Sequence, residues 1–327
     1  FTVSWLLTFC GINVFVIIFT VYPIACAFFK VGDIPRSLIP ACVLGACVSQ
    51  QMLPGIADTT NILATEAFGV PAAAGPVTGI FLSAFLFVAN AAYLHREANK
   101  ARERGEHFQP LPGESFEIDL HKQGLPHPAL ALIPIGVVLA ALNAFAVPAY
   151  ASLYLGSLTA MVLFFRRLGG LKGVTDTLNQ AAKSSMSVLA TCAIIGFSGI
   201  VTAVPGYELL LSGLERISGG NPYLFAFICV AVIAAVSGSA TGGVQFVLDS
   251  FSDKLLAMGG NPASLVRVIC AAARTFDSLP HNSAVVLTLN ACNVTHREGY
   301  KHVAVTTVLN TTIATAIAIL FAMIGIR

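Results

Sequence analysis

Long runs without a charged side chain dominate the chain. Trp5–Phe29, Ala72–Leu94, Ser184–Tyr207, Tyr223–Leu248 and Val303–Ile326 hold no Asp, Glu, Lys or Arg. Each is long enough for a helix to cross about 30 Å of hydrocarbon, which takes roughly 20 residues. Pro128–Phe165 is uncharged over 38 residues, and Pro148 inside it predicts a hairpin of two spans. Two further runs are less regular: Ser37–Ala57 ends in Met52-Leu53-Pro54-Gly55, and Ser278–Thr295 begins with Leu279-Pro280-His281-Asn282. Pro and Gly there break helices. Broken backbone at membrane depth survives only where protein encloses it. The pattern predicts eight to ten membrane segments, some of them not full spans.

Polar stretches separate these runs. Most basic residues fall in 95–127, 166–183 and 293–302, which the positive-inside rule places in the cytoplasm. The stretch 95–127 reads as a mobile linker between two units, 1–94 and 128–327. Phe1 is not an initiator and already lies in an apolar run, so the chain is expected to begin inside a longer protein or after a processed segment.

Only 34 of 327 residues are charged, or 10%, and mean hydropathy is +0.80. Soluble domains carry about 25% charge. That difference excludes a soluble enzyme and a disordered chain, and the net charge of +2 leaves no footprint for nucleic acid. The eight cysteines show no CxxC or metal-ligand spacing and read as small apolar core residues.

The chain repeats itself. Gly32-Asp33-Ile34-Pro35-Arg36-Ser37-Leu38 matches Gly259-Gly260-Asn261-Pro262-Ala263-Ser264-Leu265, each followed by an apolar run, a Leu-Pro pair and a long uncharged helix. Duplicated membrane units broken at equivalent points are the sequence pointer to a secondary transporter, with its site where the breaks meet. The same repeat implies that about 100 residues of the first copy precede Phe1.

The second break carries Arg274, Asp277, His281, Asn282 and Ser283. Intramembrane ionisable groups usually mark a pathway or site. A helix restarting after Pro280 offers N–H donors to a carboxylate, with Asn282 and Ser283 as side-chain donors. His281 or Asp277 is a candidate carrier of a coupling proton; the alternative role of Asp277 is to neutralise Arg274. The first break offers Gly55 for close backbone approach, Thr60 and Asn61 for substrate hydroxyls, and Asp58 as either proton site or helix cap. Ser237-Gly238-Ser239-Ala240-Thr241-Gly242-Gly243 interrupts an apolar run. It reads as a re-entrant turn lining the cavity through Ser237, Ser239 and Thr241, or as small-residue helix packing. Asn13 is its counterpart in the first copy.

These motifs, together with Thr295-His296-Arg297-Glu298-Gly299-Tyr300-Lys301, resemble the gluconate permease family of the ion-transporter superfamily. Leu53-Pro54-Gly55 with Asn61 resembles that family's first-half element. Ala57 stands where the family has a second proline, and Ser283 where it has glycine. The resemblance implies an all-α polytopic protein of the bacterial inner membrane with inverted-topology repeats, broken helices and re-entrant hairpins. It also implies a homodimer and proton symport of a small hydroxylated monocarboxylate such as gluconate, another sugar acid or a hydroxy acid. No cofactor or metal is expected beyond the coupling ion. The alternative in the same superfamily is sodium-coupled di- or tricarboxylate uptake. An intramembrane enzyme is disfavoured by the lack of HExxH, and a passive channel would not accumulate solute.

Overall fold

The computed structural model describes residues 1–9, 14–110, 128–145, 147–184, 213 and 216–327. Asn13, most of the expected span Ser184–Tyr207 and residues 111–127 of the expected linker lie outside them. Every regular element among the described residues is helical. In chain order they are α1 (Thr2–Phe9), α2 (Val14–Val31), α3 (Ile39–Gln50), α4 (Thr59–Ala67), α5 (Pro76–Glu103), α6 (Pro128–Asn143), α7 (Ala149–Phe164), α8 (Gly170–Ser184), α9 (Pro222–Ser237), α10 (Ala240–Ala257), α11 (Pro262–Ala273), α12 (Ser283–Ala291) and α13 (His296–Met323).

Two runs of four helices share one sequence of lengths. Helices α2 to α5 have 18, 12, 9 and 28 residues, and α10 to α13 have 18, 12, 9 and 28 in the same order. The two sets interlock: α4 packs on α10, and its counterpart α12 packs on α2, the counterpart of α10. Such reciprocal contacts are what a two-fold relation produces. The long helices α5 and α13 meet each other between the halves. There Asn310 Nδ2 donates to Asn90 Oδ1 at 2.7 Å. Asn90 lies fourteen residues past Pro76 and Asn310 fourteen past His296, so equivalent residues meet.

The two long helices turn several polar residues inward and large apolar ones outward. On α5, Thr78, Ser83 and Asn90 are buried, whereas Val77, Ile80, Phe81 and Val88 are exposed. On α13, Thr306, Thr307, Thr311 and Thr315 are buried, and Leu309, Ile313 and Leu320 face outward. Outward apolar faces of this kind suit lipid as a solvent, around an interior that is itself built largely of buried apolar side chains. Threonines of α13 satisfy themselves within the helix: Thr307 Oγ1 donates to Val303 O at 2.8 Å, the half-buried Thr312 to Val308 O at 2.7 Å and Thr315 to Thr311 O at 2.8 Å. The described cysteines are likewise buried.

Hairpin α6–α7 turns where Pro148 predicts it. Three polar stretches are more ordered than the sequence indicates. Residues 95–103 continue α5, because Ala98 and Ala101 keep facing inward. The chain beyond then docks: Arg102 Nη2 donates to Gly32 O at 2.9 Å, and Asp33 accepts from Phe108 N at 3.0 Å and bonds His107 Nδ1 at 2.7 Å. Residues 102–108 thus lie as a strap on the α2–α3 loop. These contacts lower the pKa of Asp33, the His107 bond most and the Phe108 amide next. Residues 166–183 are largely helix α8, which sets Leu171, Val174 and Leu178 along one side of a polar helix, a pattern suited to a membrane surface. Residues 296–302 open α13 behind a Thr295–Glu298 capping box.

Candidate functional site

The first interruption follows α3, all twelve residues of which are buried. A helix buried on every face is an interior element, and at about 1.5 Å per residue it is only ~18 Å long. It stops at Gln50, and the chain resumes as α4 after Pro54 and Gly55. Gly55 has φ +73°, a conformation that favours glycine, and an added Cβ would stand 2.5 Å from Asn143 Oδ1. Its N–H donates to Ala72 O at 2.9 Å, and its carbonyl accepts from Asn143 Nδ2 at 2.8 Å. Asn61 Nδ2 donates to Ile56 O and Ala72 O, both at 3.1 Å. Asp58 caps α4 by accepting from Thr60 N at 3.1 Å.

The second interruption follows α11. Arg274 to Asn282 leave the helix, and α12 restarts with Asn282 as its cap, Oδ1 accepting from Ala284 N at 2.7 Å and Val285 N at 3.0 Å. Carbonyls freed near Pro280 find partners on α13: His296 Nε2 lies 3.0 Å from Pro280 O, and Tyr300 OH donates to Ser278 O at 3.2 Å. The α9–α10 turn closes over this region. Asn282 Nδ2 donates to Gly238 O at 2.7 Å, and His281 Nε2 lies 2.9 Å from Ala235 O. A carbonyl only accepts, so Nε2 carries the proton in that contact.

Two arginines of the second copy join the breaks. Arg267, 1% exposed in the middle of α11, donates from Nη1 to Met52 O at 3.3 Å and Leu53 O at 3.4 Å, and from Nη2 to Asn61 Oδ1. The first break's backbone is thus held by a guanidinium from the other half. Arg274 Nη2 reaches both oxygens of Asp58 at 3.1 Å and Thr60 Oγ1 at 3.4 Å. Thr60 Oγ1 also donates to Asp58, and Gln51 Nε2 donates to Asp58 Oδ1 at 3.2 Å. Asp277 Oδ2 lies 3.8 Å from Arg274 Nη1, while its Oδ1 accepts from Ser278 Oγ at 2.9 Å.

Hydrogen-bonding capacity is left over at this junction. Arg267 Nε, Arg274 Nε and both side-chain heteroatoms of Gln50 are buried without a partner. Buried polar groups are nearly always satisfied, so a cluster of unsatisfied ones calls for an explanation. Two carboxylates and two guanidiniums among apolar helices are also costly to bury unless paired, and inside a membrane such a group marks a functional site by default.

The residues expected to bind substrate fall into two adjoining groups. Asp58, Thr60 and Asn61 join Arg267 and Arg274, with Gly55 shaping the wall. Ser237, Ser239, His281 and Asn282 gather at the α9–α10 turn. Thr241 is half-buried one step into α10, and Ser283 is exposed at the start of α12. Asp58, open between cap and charged site, is both a cap and an ion-pair partner. The 237–243 stretch divides: only Gly238 and Ser239 form the turn, while Gly243 lies in α10 with its Cα face against α9, where a Cβ would come within 2.9 Å of Ala234 N. Small-residue packing explains Gly243, and the turn explains Ser239, which caps α10. Asn143, Gln51 and the function of Arg267 escape sequence reasoning. Arg267 carried a signal, a lone charge inside an apolar helix.

No family model matches the chain. Two bacterial proteins are similar to it over most of its length. An uncharacterized transporter of Bacillus subtilis (strain 168), YxjC, is 28% identical over 98% of this chain and 77% of its own. An uncharacterized transporter of Haemophilus influenzae is 25% identical over 91% of this chain and 69% of its own. The chain is related to bacterial transporters. With its apolar helices, that kinship points to a membrane protein with a transport role. Neither relative's name specifies a substrate or coupling ion.

Proposed function

We propose that this protein is a secondary active transporter, a proton symporter of a small hydroxylated monocarboxylate such as gluconate, another sugar acid or a hydroxy acid. The observation that carries the reading is the junction of two interrupted helices from repeated halves, bridged by Arg274 to Asp58 and by Arg267 to the first break's carbonyls. Half-helix ends and unpaired polar groups at one enclosed point suit an anion with hydroxyls. The substrate carboxylate would lie at this junction beside Ser283 and the α9–α10 turn, and its hydroxyls would meet Thr60 and neighbouring carbonyls. Asn61 and Asn282 shape the walls, since their side chains are already committed. Candidates for the coupling proton are Asp58, Asp277 and His281. We place the halves in inverted orientation in the bilayer of a bacterial inner membrane, on the strength of the reciprocal packing and the motif resemblance.

The second reading, sodium-driven uptake of a di- or tricarboxylate, draws on one observation: two buried guanidiniums each keep an unpaired Nε. One experiment separates the two. Full-length protein in proteoliposomes is assayed for uptake of labelled gluconate, glycerate, succinate and citrate, under an inward proton gradient or with sodium exchanged for choline. Accumulation of the monocarboxylates with the proton gradient and without sodium is the expected result. Sodium-dependent accumulation of succinate or citrate alone would replace this reading by the second.

A further inference from the structure

We infer that the Asp58–Arg274 pair is the coupling device of the cycle: a proton taken up by Asp58 frees Arg274 for the carboxylate of the transported anion. The inference rests on the transport reading and adds how proton and anion are tied together.

Arg274 is only partly committed. One nitrogen, Nη2, makes its contacts with Asp58; Nη1 stands 3.8 Å from Asp277, beyond hydrogen-bond reach; Nε is buried and unpaired. A carboxylate approaching the Nε edge would form the two parallel bonds that guanidinium geometry favours. Asp58 meanwhile has a place to stay when neutral. Thr60 N, Thr60 Oγ1 and Gln51 Nε2 hold its oxygens without help from Arg274.

Charge balance makes the exchange obligatory. Among the described residues, the charged groups at the junction are Asp58, Asp277, Arg267 and Arg274, and they cancel. Helices α3 and α9 carry no charged residue. Glu66 of α4 and Asp249 of α10 share a separate pocket with Gln245 and Ser252, and Lys254 stands over the Phe225 ring. Adding a monoanion leaves one uncompensated negative charge in a low-dielectric interior, the arrangement most strongly penalised there. One proton on Asp58 restores neutrality. Binding then proceeds by formation of an O–H bond on Asp58, loss of its ion pair with Arg274, and formation of N–H···O bonds from Arg274 to the substrate. Release reverses each change, and the proton leaves with the anion. The stoichiometry is one proton per monoanion, and the loaded carrier moves no net charge.

The test uses full-length protein in proteoliposomes with labelled gluconate and glycerate. For the wild type, a gradient of about two pH units should support accumulation of up to roughly a hundredfold, tenfold per unit. A membrane potential imposed with potassium and valinomycin should not change that ratio. Asp58→Asn keeps a good helix cap but cannot exchange a proton. Its accumulation ratio should fall to about one, and any remaining exchange should lose its pH dependence. Gradient-driven accumulation by Asp58→Asn at the wild-type ratio, or a wild-type ratio set by membrane potential, would overturn the inference. Should the variant fail to fold, proton uptake by wild-type protein in weakly buffered detergent decides: one proton per gluconate or glycerate bound supports it, and none refutes it. A wild type that moves neither acid under any gradient defeats the transport reading itself, a result distinct from wild-type behaviour of Asp58→Asn.

Discussion

Gly79 on α5 is where the long helix touches the first break. A Cβ there would stand 2.9 Å from both Met52 O and Pro54 Cδ, and 3.3 Å from the Arg267 side chain. Two of these neighbours, a backbone carbonyl and a rigid proline ring, belong to the break itself, so Gly79→Ala must push the segment away by about half an ångström to reach ordinary contact. Overpacking of this kind costs ~1–3 kcal/mol, while alanine in place of glycine inside a helix returns up to ~1 kcal/mol. Gly136 on α6 supplies the control, because nothing lies within 4 Å of its added Cβ. Gly136→Ala should therefore take the helix gain alone, and the difference between the variants isolates the packing term at ~1–3 kcal/mol. The Arg267 contacts at 3.3 and 3.4 Å are already long, so the displacement should also weaken the hold of Arg267 on the first break and slow uptake. The assay is unfolding in mixed detergent micelles followed by far-ultraviolet circular dichroism, with uptake measured on the same preparations. Equal stability of the two variants, with equal uptake, would show that α5 does not bear on the first break as described.

Removing the Asn90–Asn310 contact by Asn90→Leu, Asn310→Leu and the double variant should give a coupling energy of ~0.6 kcal/mol, up to ~1.7, in the same unfolding assay. Asn282→Ala removes a cap of ~1 kcal/mol and the bond to Gly238 O, so it should lose uptake while remaining folded in gel filtration; near-normal uptake would separate the α9–α10 turn from function. The strap at Asp33 should respond to acid. The folded carboxyl titrates below the ordinary value, so its stabilisation is fully present above that value and is lost as pH falls through the lowered one. Hydrogen exchange at the Phe108 amide should therefore show greater opening at strongly acidic pH than at pH 7, after correction for intrinsic exchange, and Asp33→Asn should show the opening at both.

Where the chain breaks was legible because the signal is local. Pro54 and Pro280 lack the N–H a helix needs, and the interruptions lie at both. Two matching heptapeptides suggested a duplication, and each lies within one of the two helix runs of matching lengths. The partner of each break was not legible. That Arg267 serves the carbonyls of Met52 and Leu53, over 200 residues away, is a property of the packed halves and of neither sequence alone. The strap failed to read as ordered for a related reason: Arg102, His107 and Phe108 look like solvated linker until the turn carrying Asp33 is brought beneath them.

The hydroxyls of α13 have a bearing on how the chain enters its bilayer. Thr307, Thr312 and Thr315 each return their proton to a carbonyl one turn back. These three hydroxyls can thus meet acyl chains without an unpaired donor. The asparagine at the centre of α13 has no such recourse. Asn310 needs Asn90, so it is the late-arriving contact that commits the final long helix to its berth once both are already inserted.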